Sequence, residues 1–484
     1  MISLPVEGPA VEALGALSRF RVEFYECLYA RADALFDLTD AVLCADGPVR
    51  SPVELTLVAE HRRGHGAMYA ALDRGWCEPA RLRGVLAGLP LPKTADGRIV
   101  LAADVCNWLR PDASTSPDRL FCHVYGRGGR SSDQLVPGWP YSFVAALETG
   151  RTSWCALLDA VRLGPADDAV AVAAAQLRGV VERLIEAGHW KPGHKAILIV
   201  LDTGYDAPHL SYALRDLPVE VMARLRSDRV MYRDAGPAHP TAKGGRPRKH
   251  GARFSLARPD GWHVPDRFTA CETTRYGRAE ARAWDRMHPK LQARSAWLDH
   301  EGELPTQHGT LIRLTVEHLP GEREAKPVWL WTSATGLSAD QVDVRWQAFL
   351  RRFDLEHTFR FLKQTLGWSR PKVRHPDTAD LWTWLVITAH TQLRLARSLA
   401  EDLRHPWERP AEPQRLTPAR VRRGFRHLRV KAARPAAGPK PSRPGPGRPP
   451  GSRNRRSARR YEPGKTVKRV ETLTEHARLK RLRG

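Results

Sequence analysis

Three acidic residues stand where carboxylates could be gathered for chemistry. AILIVLDTGYD ends an apolar, β-branched run in Asp202 and then turns. RIVLAADV ends a similar run in Asp104. An acid in such a place is commonly a cap or turn-former, but reactive groups also gather at the carboxyl ends of strands in open α/β sheets. The third acid, Glu356, lies in RWQAFLRRFDLEHTFRFLKQTLGW (345–368), among arginines and a lysine. Carboxylates of this kind suit hard divalent cations such as Mg2+. Two ions about 3.5–4 Å apart activate an attacking hydroxyl and stabilise a leaving one. That chemistry is displacement at a phosphodiester, with the neighbouring basic residues holding backbone phosphates.

The segment 345–368 has no Gly or Pro until its end and is expected to be helical. At about 100° per residue, with Phe349 at zero, Arg352 falls at about 300°, Glu356 at about 340° and Lys363 at about 320°. Leu355, Phe359, Leu362 and Leu366 form a separate apolar stripe that can pack on a sheet. An Arg352–Glu356 surface pair is the plainer alternative, worth a few tenths of a kcal/mol.

The elements that must position these residues change character along the chain. Residues 11–90 carry apolar residues at helical spacing. RIVLAADV (98–105), RLFCHVYG (119–126) and YSFVAALET (141–149) read as strands of a hairpin or meander, and SWCALLDAVRL (153–163) as a further strand or connecting segment. A helix over 166–188, a buried strand AILIVLD (196–202), a helix over 206–217 and a strand over 219–226 follow. Strands first, then alternation, predict a mixed α/β sheet. Residues 228–340 break the alternation and predict a largely β insertion, with Trp329 and Trp331 as core residues. Helical pattern resumes at Ala339 and runs to Leu403, and from about 430 Pro, Gly, Arg and Ser dominate, the composition of a disordered tail.

The 484 residues suffice for two or three domains. No apolar run reaches about 18 residues, so no membrane span is expected; MISLPVEGPAVEALG has no signal-peptide pattern. Seven scattered cysteines without a CxxC pair argue against a disulfide scaffold or thiolate zinc site and fit a reducing cytosol. His61 and His65 lack the intervening Glu of a zinc HExxH pair, and YGRGGR (125–130) lacks the P-loop lysine. The formal charge is +24, and residues 401–484 hold 25 Lys and Arg against 7 Asp and Glu. A near-balanced body with a basic tail points to nucleic acid. GGRPRKHG (244–251) and GPGRPPGS (445–452) carry Gly-Arg-Pro cores resembling AT-hooks, so Arg246, Arg248, Lys249 and Arg448 are candidate DNA contacts; a Pro/Gly linker with ordinary phosphate affinity is the alternative.

Phe349, Arg352, Glu356 and Lys363 fit the spacing Y-x2-R-x3-E-x6-K, with Phe in place of Tyr. Over residues 98–400 the chain resembles the YREK-signature superfamily of bacterial insertion-sequence DDE transposases. The resemblance implies a ribonuclease H-like fold, a β insertion before the signature helix, and cut-and-paste transposition with two Mg2+ ions, Mn2+ being the alternative. It implies Asp104, Asp202 and Glu356 as catalytic metal ligands, with Asp112, Asp118 and Asp133 as rivals for the first and Asp206 for the second. Phe349, Arg352 and Lys363 would contact DNA, and Trp329 or Trp331 would be the alternative to a core residue as a stacking platform for a flipped base. The partners implied are terminal inverted repeats, target DNA and a second copy in a homodimer, in a cytoplasmic, nucleoid-associated setting. The expected organisation is a helical DNA-binding or assembly region (1–95), a catalytic core (96–403, with the insertion at 228–340) and a basic DNA-binding tail (404–484). An inactive, domesticated transposase acting as a DNA-binding protein is the alternative.

Overall fold

The computed structural model describes residues 8–124, 134–150, 152–236, 248–319, 325–440, 449–453, 456–468 and 471. Helices α1 (Gly8–Glu26), α2 (Ala32–Cys44), α3 (Pro52–Leu55), α4 (His65–Arg74) and α5 (Pro79–Gly88) come first, with short strands β1 (Leu28–Ala30) and β2 (Trp76–Cys77) paired between them. The meander follows as β3 (Val100–Leu109), β4 (Leu120–Val124), β5 (Gln134–Leu147) and β6 (Cys155–Arg162). Then come α6 (Ala169–Glu186), β7 (Ile197–Leu201), α7 (Ala207–Ala213) and β8 (Val219–Leu225). The insertion holds β9 (Val230–Asp234), β10 (His250–Ser255), β11 (Arg267–Thr273), β12 (Gly277–Met287), β13 (Gly309–Val316) and β14 (Val328–Thr332). The chain closes with α8 (Ala339–Arg351), α9 (Phe353–Gln364), α10 (Pro376–Ala396) and α11 (Pro418–Lys431).

One mixed sheet runs β11-β12-β13-β14-β8-β7-β3-β5-β4, with β6 also paired to β5. Strands β3, β7 and β8 are parallel neighbours and their other partners are antiparallel. The insertion is therefore largely a continuation of the main sheet through the β14–β8 pairing, while β9 and β10 form their own ribbon. Every residue of β7 is buried because helices cover both faces. Leu198 and Val200 pack in the core shared with α8, α9 and α10, whereas Ile197, Ile199 and Leu201 pack in the core shared with α6 and α7. Val100 and Ala102 of β3 face the first core, and Leu101 and Ala103 the second.

Three expectations are corrected. The segment 345–368 is two helices meeting at Arg352, where the amide of Arg352 bonds back three residues to Phe349 (3.0 Å) and that of Leu355 to Arg352 (3.0 Å). The boundary near residue 95 marks a change of secondary structure, since Phe20, Phe24 and Leu38 share one apolar core with Trp382 and Phe359. The tail from 404 does not begin as a disordered segment. In α11, Val421, Phe425 and Leu428 recur at helical spacing and are buried against the N-terminal helices. Its arginines pair there: Arg426 with Glu60 (3.1 Å) and Arg429 with Asp40 (2.9 Å), while Arg422 donates to the carbonyl of Val42 (2.9 Å). Further on, Gly464 bridges to Leu120 along the β4 edge.

Truncating Phe425, which is fully buried, should cost about 3–5 kcal/mol. Urea unfolding of Phe425→Ala checks this; a cost near zero would mean that α11 is not part of the folded core.

Candidate active site

Strand parity puts the two aspartates on one face. Val100, Ala102 and Asp104 alternate toward the α8–α10 side of β3, and Leu198, Val200 and Asp202 do so along β7. The parallel register pairs Val100 with Leu198 and Ala102 with Val200, so the next positions on that face are Asp104 and Asp202. Asp202 directly follows the last residue of β7. Asp104 departs from the expected strand end: β3 continues to Leu109 against β5, and only its pairing with β7 stops at Ala102. Asp104 thus sits at the notch where β7 turns away.

The helices α8 and α9 cross this face. The anchor is Glu220 on β8, buried with Arg345 of α8 (2.7 Å) and Arg98 (2.8 Å), and accepting from the Thr332 hydroxyl (2.6 Å). Burial pushes the Glu220 carboxyl up, but Arg345, Thr332 and Arg98 outweigh it and hold the group below its ordinary value. Two turns beyond Arg345, the junction at Arg352 turns that side chain inward.

Arg352 joins the three predicted acids. Its Nη1 donates to Asp104 Oδ2 (2.9 Å), and its Nη2 lies 3.4 Å from Asp202 Oδ2 and 3.4 Å from Glu356 Oε1. The guanidinium is 3% exposed, against 23% for Asp104, 34% for Asp202 and 50% for Glu356. The cation therefore forms the floor and the carboxylates the open side. Burial pushes the Asp104 carboxyl up to about 6, against the pull of Arg352 and of the Val105 amide. Its Oδ1 accepts from Val105 N (2.8 Å), and Asp202 Oδ1 accepts likewise from Thr203 N (2.8 Å).

The rival acids stand elsewhere. Asp112 is nearest Lys372 (3.8 Å) and Arg110 (3.9 Å), Asp118 lies 4.0 Å from Arg162, and Asp206 caps α7. Asp133 lies outside the described residues, as do Arg246, Arg448 and the YGRGGR segment. Phe349 does not fit the expected DNA contact: it is buried in the core, because the apolar side of α8 lies against the sheet. Arg352 is likewise turned from the expected phosphate contact into the carboxylate cluster. Lys363 lies with its ammonium 5.7 Å from the Trp368 ring and acts on Cys106, whose thiol burial pushes up to about 11 against the lysine's pull. Arg248 and Lys249 are exposed at the foot of β10, Lys249 beside Glu303 (3.0 Å).

Next to Thr203 a cleft of about 770 Å³ opens, lined by Arg224, Arg313, Lys326, Trp262 and Trp329. Arg313 lies over the rings of Trp262 (5.2 Å) and Trp329 (5.9 Å). The sequence signal of this cleft was weak: its basic residues come from β8, β13 and the segment before β14 and carry no shared spacing. Trp329 and Trp331 are both buried.

A sequence model described as DDE superfamily endonuclease matches residues 23–290. The chain belongs to that family. The matched span contains Asp104 and Asp202 and ends before Glu356. Membership makes this a nuclease-type enzyme of a family whose substrate is DNA and whose members usually use divalent metal ions. No curated protein matches the chain in sequence. Among the described residues, no helix is long and apolar enough to cross a membrane.

Two outcomes follow for this DDE endonuclease. Arg352→Met leaves clustered carboxylates without their cation and should destabilise the fold, part of which loss millimolar Mg2+ should restore by binding the folded state. Thermal melts with and without Mg2+ read both effects. Glu220 stabilises most above the ordinary glutamate pKa near about 4.3, and this is lost as pH falls through its lower folded value. Acid unfolding curves should therefore be shallower for Glu220→Gln than for the wild type.

Proposed function

We propose that the chain is a DDE transposase of the bacterial insertion-sequence type, cutting and joining DNA at terminal inverted repeats with Asp104, Asp202 and Glu356 as catalytic carboxylates. The observation that carries the reading is their convergence, from two strands and a helix, on one buried guanidinium. The strand order β6-β5-β3-β7-β8, antiparallel then parallel, supports a ribonuclease H-like core. The family match supports the same reading.

The donor set fits hard cations. It is all oxygen, and each carboxylate keeps one oxygen that Arg352 does not engage: Asp104 Oδ1, Asp202 Oδ1 and Glu356 Oε2. Bound Mg2+, or Mn2+ in its place, would supply the charge that polarises the phosphodiester and activates the attacking hydroxyl. Arg352 offsets the mutual repulsion of the acids and fixes their spacing. The half-exposed Glu356 faces the side from which DNA arrives. In this reading Lys363 and, from the cleft beside Thr203, Arg224 and Lys326 neutralise backbone phosphates. The Gly-Arg-Pro segments and the residues beyond 449 add sequence-tolerant affinity. A homodimer in the nucleoid is the working assembly, and the N-terminal helices serve end binding or assembly.

Labelled DNA carrying the inverted repeats that flank the gene tests this. The wild type with Mg2+ should cleave at the repeat and join the freed 3′-hydroxyl to target DNA. Glu356→Gln should bind normally but lose more than the roughly 10–100-fold expected of a residue that only supports ligands. Arg224→Ala and Lys326→Ala should each lower the salt slope of DNA binding by about 1. Binding without cleavage by the wild type would instead identify a domesticated DNA-binding protein.

A further inference from the structure

A second cluster of ligand-type side chains lies in the insertion, apart from the carboxylate site. Asp234 ends β9, His250 opens β10, His288 follows β12 and His308 precedes β13. Ligand atoms of Asp234, His288 and His308 lie within 4.8 Å of one another. Nδ1 of His250 is 3.0 Å from Nε2 of His288, and Nε2 of His308 meets Asp234 Oδ1. His288 is completely buried, with its ring 5.2 Å from that of His250 and 5.1 Å from that of His308.

The backbone is shaped to bring these four strand ends together. The β12–β13 register shifts between Trp284 and Met287, and Arg286 at that bulge adopts φ 54°, a conformation that non-glycine residues rarely hold. The bulge delivers His288 to the ribbon, where it exchanges backbone hydrogen bonds with Tyr232 (2.8 and 3.0 Å). Arg286 then reaches back, its Nε donating to Asp234 Oδ2 (2.7 Å) and leaving Oδ1 for the cluster. An outer partner that orients a carboxylate in this way is the usual support of a metal ligand.

We propose that Asp234, His288 and His308, with His250 as the fourth ligand, bind one structural Zn2+ ion that ties the β9–β10 ribbon to the main sheet. Three imidazoles and one carboxylate suit a borderline cation that accepts tetrahedral nitrogen and oxygen ligands. Magnesium and calcium prefer all-oxygen sets, so the cluster discriminates against the ions suited to Asp104, Asp202 and Glu356. Four protein ligands close the coordination shell and leave no position for a substrate, which makes the role structural. The inference does not depend on the proposed transposase activity.

The test uses the full chain, stripped with a chelator, dialysed and titrated with Zn2+ against a chromophoric competitor. One zinc per chain should bind, Co2+ should give the absorption of a tetrahedral site, and zinc should raise the melting temperature. His288→Gln, His308→Gln and Asp234→Asn should abolish stoichiometric binding. Arg286→Gln should weaken it by about 10–100-fold, and Glu356→Gln should leave it unchanged. Should His288→Gln fail to fold by circular dichroism, the more exposed His308→Gln and Asp234→Asn carry the test. No stoichiometric zinc, an octahedral Co2+ spectrum, or equal binding by folded ligand variants overturns the proposal.

Discussion

The buried guanidinium of Arg352 is the charge on which the carboxylate site depends. Two unit charges about 4 Å apart interact by about 4 kcal/mol at an effective dielectric near 20. Three carboxylates gathered at one sheet edge would repel on that scale if left alone. Arg352 contacts one oxygen of each and leaves the second oxygen of each carboxylate to other partners. A buried cation is costly unless paired, so the arginine needs the acids as much as they need it. The residue that meets this requirement sits at the tightened junction between α8 and α9.

The rest of the core makes that notch rigid. Glu220, itself buried between Arg345 and Arg98, clamps α8 to β8. Phe359 and Leu362 press α9 onto the sheet, with Phe359 against Phe143 of β5 at 5.2 Å between ring centroids. Parallel pairing of β3 with β7 puts Asp104 and Asp202 in step, and β3 outlasts β7, so one acid lies in a continuing strand and the other at a turn. That difference in backing matches their exposure and the upward push on Asp104.

Much of this was legible in the sequence because strand parity is strict. A residue two beyond an inward-facing apolar residue shares its face, and both aspartates obey that rule. The helix wheel was less reliable, since it assumes an unbroken axis. Phe349 lies on the apolar side of α8 in the core, Arg352 lies at the tightened turn in the cluster, and an arginine gives no sign in sequence that it will be buried. The helix α11 was hidden by composition: arginines crowd Val421, Phe425 and Leu428, and the acids that pair with Arg426 and Arg429, Glu60 and Asp40, lie hundreds of residues earlier. The Asp234, His250, His288 and His308 cluster had no local signal at all, because its members come from four strand ends joined only by the sheet.

The placement of α11 changes what the charge asymmetry means. Counted along the chain, everything after residue 400 resembles one polyanion-binding tail. In the fold, Arg420, Arg423, Arg426 and Arg429 are paired with Asp402, Glu408, Glu60 and Asp40. Charges already engaged with internal carboxylates contribute little to counterion release from DNA. Arg422, Arg426 and Arg429 therefore weld α11 to the N-terminal helices, and Arg420 and Arg423 tie it to the segment that follows α10. Basic residues outside these pairs include Arg224, Arg313 and Lys326 of the cleft beside Thr203 and the exposed Arg248 and Lys249. A formal charge is thus divided between folding and recognition according to where its counter-charges sit, and only the fold reveals the division.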